Sequence, residues 1–247
     1  MSWYPRRHTN PCSRADQRRH APLLLMVTAT CAVLLLAACG NSVPSSTSLL
    51  KGARTKLDAT QSFHFVMKVS HPGTPSAGTY VVNSATGDVV RPNSLSAAAQ
   101  VNAGFVSVNV KLVIIGNQEW FTDPVSGKFV QTTEFASFLS LFDPSVGLGS
   151  LMTSLKNPST PVDGSANGTS CWKISGTLAP DLLTPIFTQV TATGPVATSF
   201  CIGKSDGRLY SATLTGNIVD GDSSQTVRTF YLSNFDQHVT ITPPPGV

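Results

Sequence analysis

The stretch that most restricts the fold is Phe105 to Ile115. Val106, Val108, Val110, Leu112 and Ile114 fall on one face of an extended chain, and Ser107, Asn109 and Lys111 on the other. Period two over that length makes a strand with one face buried and one in water, the habit of antiparallel sheets. Gly116-Asn117 turns the chain, and Gln118 to Thr122 returns as the partner strand. Ser62 to Val69 repeats the pattern, with Phe63, Phe65, Met67 and Val69 alternating against His64, Val66 and Lys68. Further strands are expected near residues 78–83, 94–100, 128–131, 169–178, 196–202, 209–218, 226–234 and 239–241. Residues 84–94 and 157–168 read as loops. The whole is an antiparallel meander with few helices.

Helical spacing is confined to three places. After Ser48 as N-cap, Leu49, Leu50, Ala53 and Leu57 predict a helix to about Thr60. Phe135, Phe138, Leu139, Leu141 and Phe142 predict a second helical piece. Asp143-Pro144 then reads as a new start, with Leu148, Leu151, Met152 and Leu155 carrying the stripe to about Lys156. Gly147 and Gly149 weaken that helix by roughly 1 kcal/mol each relative to alanine. A weakened aromatic-rich pair of helices in a β protein suits a lid; an ordinary helical layer over a sheet is the other reading. Ala179 to Leu183 predicts a short helix.

The N-terminus has a different character. Arg6, Arg7, Arg14, Arg18 and Arg19 precede an apolar run from Leu23 to Leu36, followed by Ala37-Ala38-Cys39-Gly40. That order is a basic segment, an apolar segment and a small-residue cleavage site. A cysteine directly after the small residues looks like a bacterial lipobox, so residues 1–38 are expected to leave as a signal peptide. Cys39 would then carry a diacylglycerol anchor and palmitate. A plain secretory signal and a membrane anchor are the alternatives, although the run is short against the ~20 residues of a spanning helix. Residues 39–48 are expected as a lipidated, Ser-rich flexible tether, and 49–244 as one domain.

Removing the leader changes the global numbers. The net charge of +4 becomes zero, with 12 basic and 12 acidic residues left. No basic surface remains to suggest nucleic acid. Cys12 and Cys31 also leave, so Cys171 and Cys201 remain beside Cys39. An even pair in an exported chain reads as a disulfide, with two free buried thiols as the alternative. Lying on strands that flank the short helix, a bridge would be expected to pin that helix to the sheet.

Catalytic signatures are missing. His64, His71 and His238 sit in no metal-ligand spacing, and there is no Gly-x-Ser-x-Gly elbow or Walker loop. No catalytic residue, metal or cofactor is therefore expected.

The later half resembles the LppX/LprAFG lipoproteins of the actinobacterial, chiefly mycobacterial, envelope. The residues concerned are Asn167 to Leu178, Phe200-Cys201-Ile202, Asp206-Gly207-Arg208-Leu209, Leu232 to Asp236 and Val239 to Pro244. The lipobox, the Ser-rich tether, one helix and Ser62-Phe63-His64-Phe65 fit its opening. The resemblance implies a curved antiparallel half-barrel, mainly β in an α+β class, with helices over the concave face and an apolar cavity between. It implies carriage of acylated lipids or lipoglycans from the plasma membrane towards the outer envelope, with a membrane lipid exporter as a partner. Phe63, Phe65, Val108, Val110, Phe138, Leu141, Phe142, Leu148, Leu151 and Met152 are then expected near the cavity, ordinary core packing being the alternative for each. A non-catalytic surface scaffold and an envelope hydrolase remain as other functions.

Overall fold

The computed structural model describes residues 43–76, 80–103, 106–133, 136–187 and 189–246. Its eleven strands form one antiparallel sheet in the order β6-β5-β4-β3-β2-β1-β11-β10-β9-β8-β7. The first half is a meander: β1 Ser62–Ser70, β2 Tyr80–Val90, β3 Ser94–Ala103, β4 Val106–Ile115, β5 Gln118–Thr122 and β6 Phe129–Thr132. The second is another: β7 Val162–Ala166, β8 Thr169–Leu178, β9 Val196–Gly203, β10 Leu209–Thr215 and β11 Val227–Ser233. Pairing of β1 with β11 joins the halves in the middle, Phe65 opposite Leu232 and Met67 opposite Phe230. The sheet is open and curved.

Among the described residues, three α-helices lie between or before these strands: α1 Ser46–Ala59, α2 Ala136–Ser140 and α3 Leu148–Ser154. Leu50, Ala53 and Leu57 form the buried stripe of α1 that their spacing predicts. The cap is Ser45 rather than Ser48, its side chain accepting from Ser48 N at 3.2 Å. Any serine of a run can cap, so composition alone could not choose among them. Ser46 to Ser48 are therefore helical, not tether.

The sheet face under these helices follows the alternation. Phe63, Val89, Leu95 and Ile114 form one row across β1 to β4, and all are buried. The next row runs Phe65, Gly87, Ala97, Leu112 and Phe121. Small residues beside Phe65 leave room for its ring. A Cβ on Gly87 would lie 2.1 Å from Ser96 O, so alanine does not fit there. These small residues explain why residues 84–90 belong to β2 and not to the loop expected from sequence: the covered face is written in Ala and Gly, and the apolar signal disappears.

Other boundaries moved as well. β7 lies inside the expected 157–168 loop, as a short edge strand bearing Asp163, the kind of polar edge that resists further pairing. Val239 to Ile241 join no strand; the chain is held there by Ser62 Oγ donating to Gln237 O at 2.5 Å and by Asp236 N donating to Ser62 O at 2.7 Å. The helix expected to start at Asp143-Pro144 starts at Leu148, capped by Gly147. Asp143 instead closes a turn, accepting from Ser145 N at 2.7 Å and Ser145 Oγ at 2.5 Å.

Cys171 and Cys201 form a disulfide with Cα atoms 5.4 Å apart. They sit on neighbouring strands β8 and β9, diagonal to the Cys171–Gly203 and Lys173–Cys201 pairs. Their cluster with Ala166, Tyr210 and Tyr231 is on the outer face. Leu183 of the short 3-10 helix Pro180–Leu183 is buried in the main core. The bridge therefore staples two strands and does not pin that helix.

Candidate functional site

The expected apolar site is made by β1 from below and the α2–α3 segment from above. Phe63 and Phe65 are wholly buried. Phe142 stands against both, with ring centroids 5.3 Å from Phe63 and 5.1 Å from Phe65. Phe138 lies 5.8 Å from Phe65 and 6.5 Å from Phe142. Such tilted and edge-to-face pairs contribute about 0.5–1.5 kcal/mol each beyond area burial. Leu141, Leu148, Leu151 and Met152 are buried in the same cluster.

Val108 and Val110 share the face but not the cluster. Along β4, burial declines from Ile114 and Leu112 through Val110 to a half-buried Val108 and a Val106 that is 61% exposed. The structure thus brings together all the expected cavity residues except these two valines. Phe135 and Cys39 lie outside the described residues.

Those side chains pack together between the sheet and the helices. One cleft of about 170 Å³ lies where the β2–β3 turn meets the end of α2, with Val89, Arg91, Leu139 and Phe142 on its walls. Another, of about 220 Å³, lies among residues 191–196 and 215–217. Both are below the ~300 Å³ at which drug-sized ligand pockets begin.

The glycines of α3 serve close packing. A Cβ on Gly147 would fall 2.2 Å from Leu141 O, and one on Gly149 2.9 Å from Asp58 Oδ1. They let the loop after α2 and the side of α1 approach α3. Arg54 of α1 fastens the contact, donating to Thr153 Oγ1 at 2.8 Å and pairing with Asp58 at 3.4 Å. The α3 segment packs closely on α1 and on the loop after α2.

One polar arrangement on the outer face invites a catalytic reading. His64 Nδ1 lies 2.8 Å from Asp88 Oδ1, and Thr86 Oγ1 lies 3.2 Å from His64 Nε2. Hydroxyl, imidazole and carboxylate stand in the order of a hydrolytic triad. All three are on adjacent strands of the sheet, where Thr86 pairs with Val66 on one side and Ala98 on the other. Backbone amides committed to ladders leave no pair of N–H groups to stabilise an oxyanion there, among the described residues. The group is a cross-strand polar ladder. No set of three His, Cys, Asp or Glu side chains among the described residues is placed to hold a metal ion.

Sequence patterns missed two features. Asp222 and Arg228 form a buried ion pair on the covered face, and nothing in their spacing announces it. Arg91, in a turn read as loop, lies with its guanidinium 6.0 Å from the centre of the Phe63 ring.

Comparison with known proteins agrees with the architecture. The chain is 24% identical over 249 residues to the lipoarabinomannan carrier protein LprG of Mycobacterium leprae (strain TN), covering 94% of this chain and 98% of the relative. It is 24% identical over 242 residues to the lipoarabinomannan carrier protein LprG of Mycolicibacterium smegmatis, covering 90% and 94%. The crystal structure of LprF from Mycobacterium bovis superposes with a TM-score of 0.65 at 19% identity, covering 83% of this chain and 100% of that one. LppX from Mycobacterium tuberculosis gives 0.58 at 15% identity, with 81% and 100% covered, so the two share this fold. The LppX_LprAFG lipoprotein model matches residues 45–241, and the chain belongs to that family.

Proposed function

We propose that this protein is a lipid-anchored envelope carrier. Acylated Cys39 holds it on the outer face of the plasma membrane. Its domain takes acyl chains of a lipid or lipoglycan between the sheet and the α2–α3 segment, receives them from a membrane exporter and releases them towards the outer envelope. The observation that carries this reading is the aromatic layer of Phe63, Phe65, Phe138 and Phe142, held between the sheet and two short helices. The relatives named as lipoarabinomannan carriers support it. Carriage needs no catalytic residue, only removal of acyl chains from water.

Loading requires α2 and α3 to rise from β1. The energetics allow it. A chain of about 16 carbons gains roughly 12 kcal/mol at about 0.8 kcal/mol per buried methylene, which exceeds the loss of a few ring contacts at about 1 kcal/mol each. The helices involved are short, at 5 and 7 residues.

Native mass spectrometry with lipid extraction, on a soluble Cys39→Ala or leader-less form from an actinobacterial host, tests the proposal. A co-purifying lipid of discrete mass, near one per protein, is expected. A lipid-free protein that also refuses added glycolipid and triacylglycerol would refute carriage. The close packing of the four phenylalanines favours a second reading, a surface scaffold that recruits envelope proteins, and that outcome would leave it standing.

A further inference from the structure

Arg54 pairs with Asp58 at 3.4 Å, Arg208 with Asp236 at 2.9 Å, and Arg228 with Asp222. Among the described residues, Arg91 has no carboxylate partner of that kind. It makes one side-chain hydrogen bond, Nη2 donating to Leu57 O at 3.3 Å, and its Nε is buried without an acceptor. A guanidinium offers five N–H donors in a planar fork suited to oxyanions. Burial works against its charged form, while the more distant Asp58 and Asp143 favour it. It also sits where a ligand head would be. The 170 Å³ cleft has Arg91, Asn93 and Asp143 on its polar side and Val89, Leu139 and Phe142 on its apolar side. Phe142 continues directly into the aromatic layer.

We propose that this cleft is a headgroup site selecting lipids with a single negative charge at the head, the guanidinium of Arg91 receiving the oxyanion while the acyl part runs past Phe142. This rests on the carrier reading and names the headgroup chemistry of its ligand. Asp143 limits the charge. Its carboxylate lines the same cleft and is held below the ordinary carboxylate range, first by the Ser145 hydroxyl, so it stays ionised and repels a dianion. A phosphodiester or a fatty carboxylate meets that condition; a phosphomonoester does not.

Competition binding followed by native mass spectrometry tests this on the Cys39→Ala chain. The probes are phosphatidylglycerol and diacylglycerol with matched acyl chains, palmitate, and glycerophosphoglycerol as the same phosphodiester without chains. Phosphatidylglycerol should bind roughly 10- to 100-fold more tightly than diacylglycerol, the worth of a charge-assisted hydrogen bond. Preference for palmitate would assign the site to a carboxylate head. Arg91→Gln should erase the preference and leave diacylglycerol affinity unchanged; Arg91→Lys should keep part of it. Equal affinity of the wild type for the charged and neutral lipids, or equal loss of both in Arg91→Gln, overturns the inference while carriage stands. Glycerophosphoglycerol binding as well as phosphatidylglycerol overturns it too, because the site would then read a free anion. Binding of no lipid refutes carriage itself and this inference with it. Should Arg91→Gln fail to fold, the wild-type preference still decides: it should shrink between 0.05 and 0.5 M salt, and a salt-insensitive preference would overturn it.

Discussion

Asp222 is the residue whose loss should cost the domain most per atom removed. Its carboxylate receives both Nη1 and Nη2 of Arg228, the latter at 2.6 Å, and also the backbone N–H groups of Ile218 and Val219 at 3.0 Å each. The two side chains are 1% and 3% exposed. Arg228 lies on the covered face of β11, opposite Val69 and Leu214, with the Phe187 ring 5.9 Å away. Asp222→Ala strands a desolvated guanidinium and two amides. Breaking a buried pair from one side costs about 3–5 kcal/mol, against a typical domain stability of about 5–15 kcal/mol. With a urea slope of about 2 kcal/mol/M, the unfolding midpoint should fall by roughly 2 M at unchanged slope. Replacing both partners, as Asp222→Leu with Arg228→Met, should recover most of that loss, because no orphaned charge remains. A midpoint shift under about 0.5 M for Asp222→Ala would refute the reasoning, since solvent would then be reaching the pair.

Other expectations follow from particular contacts. Cys171→Ser with Cys201→Ser opens a loop of sequence separation 30 and should cost roughly 3 kcal/mol in denaturant unfolding; reductant should reproduce the effect in the wild type and do nothing to the variant. Gly147→Ala should lower stability by about 1–3 kcal/mol, because its methyl meets the backbone of Leu141, whereas Gly149→Ala meets the side chains of Asp58 and Arg54, which can shift, and should melt close to wild type. Asp143 has its pKa lowered, chiefly by the Ser145 hydroxyl. Its contribution is therefore present above the unfolded carboxylate value and is lost as pH falls through the folded one; Ser145→Ala should move the Asp143 carboxyl resonance to titrate at higher pH. Tyr210 is shifted the other way, upward by burial and then by its bond to Asp206, so its contribution should fade as pH rises through the folded value, visible as a delayed phenolate absorbance.

Legibility varied with the size of the side chains. Strands whose covered face carries Phe, Val, Leu or Ile, such as β1 and β4, were plain from alternation. β2 past Asn83 was hidden because its covered positions are Ala85, Gly87 and Val89, small where Phe65 is large. That complementarity exists only between strands, and no local window contains it. The helix at Leu148 was placed too early for a similar reason. Asp143-Pro144 is a good start signal, but the close approach to Leu141 O delays the helix to the far side of Gly147.

The candidate site divides along the same line. Local period and spacing determined that Phe63, Phe65, Leu141, Phe142, Leu148, Leu151 and Met152 would be buried, and which of them share a face. The cysteine pair, and the expectation of an exported leader whose removal leaves a net charge of zero, were equally matters of composition and order. Which apolar residues meet was decided by the tertiary structure, because Phe65 and Phe142 are distant in the chain and adjacent only when β1 and the α2–α3 segment close on each other. The same holds for charge. That Arg228 is paired with Asp222 while Arg91 has no such partner among the described residues depends on which carboxylates the fold brings within reach, a property of three-dimensional distance.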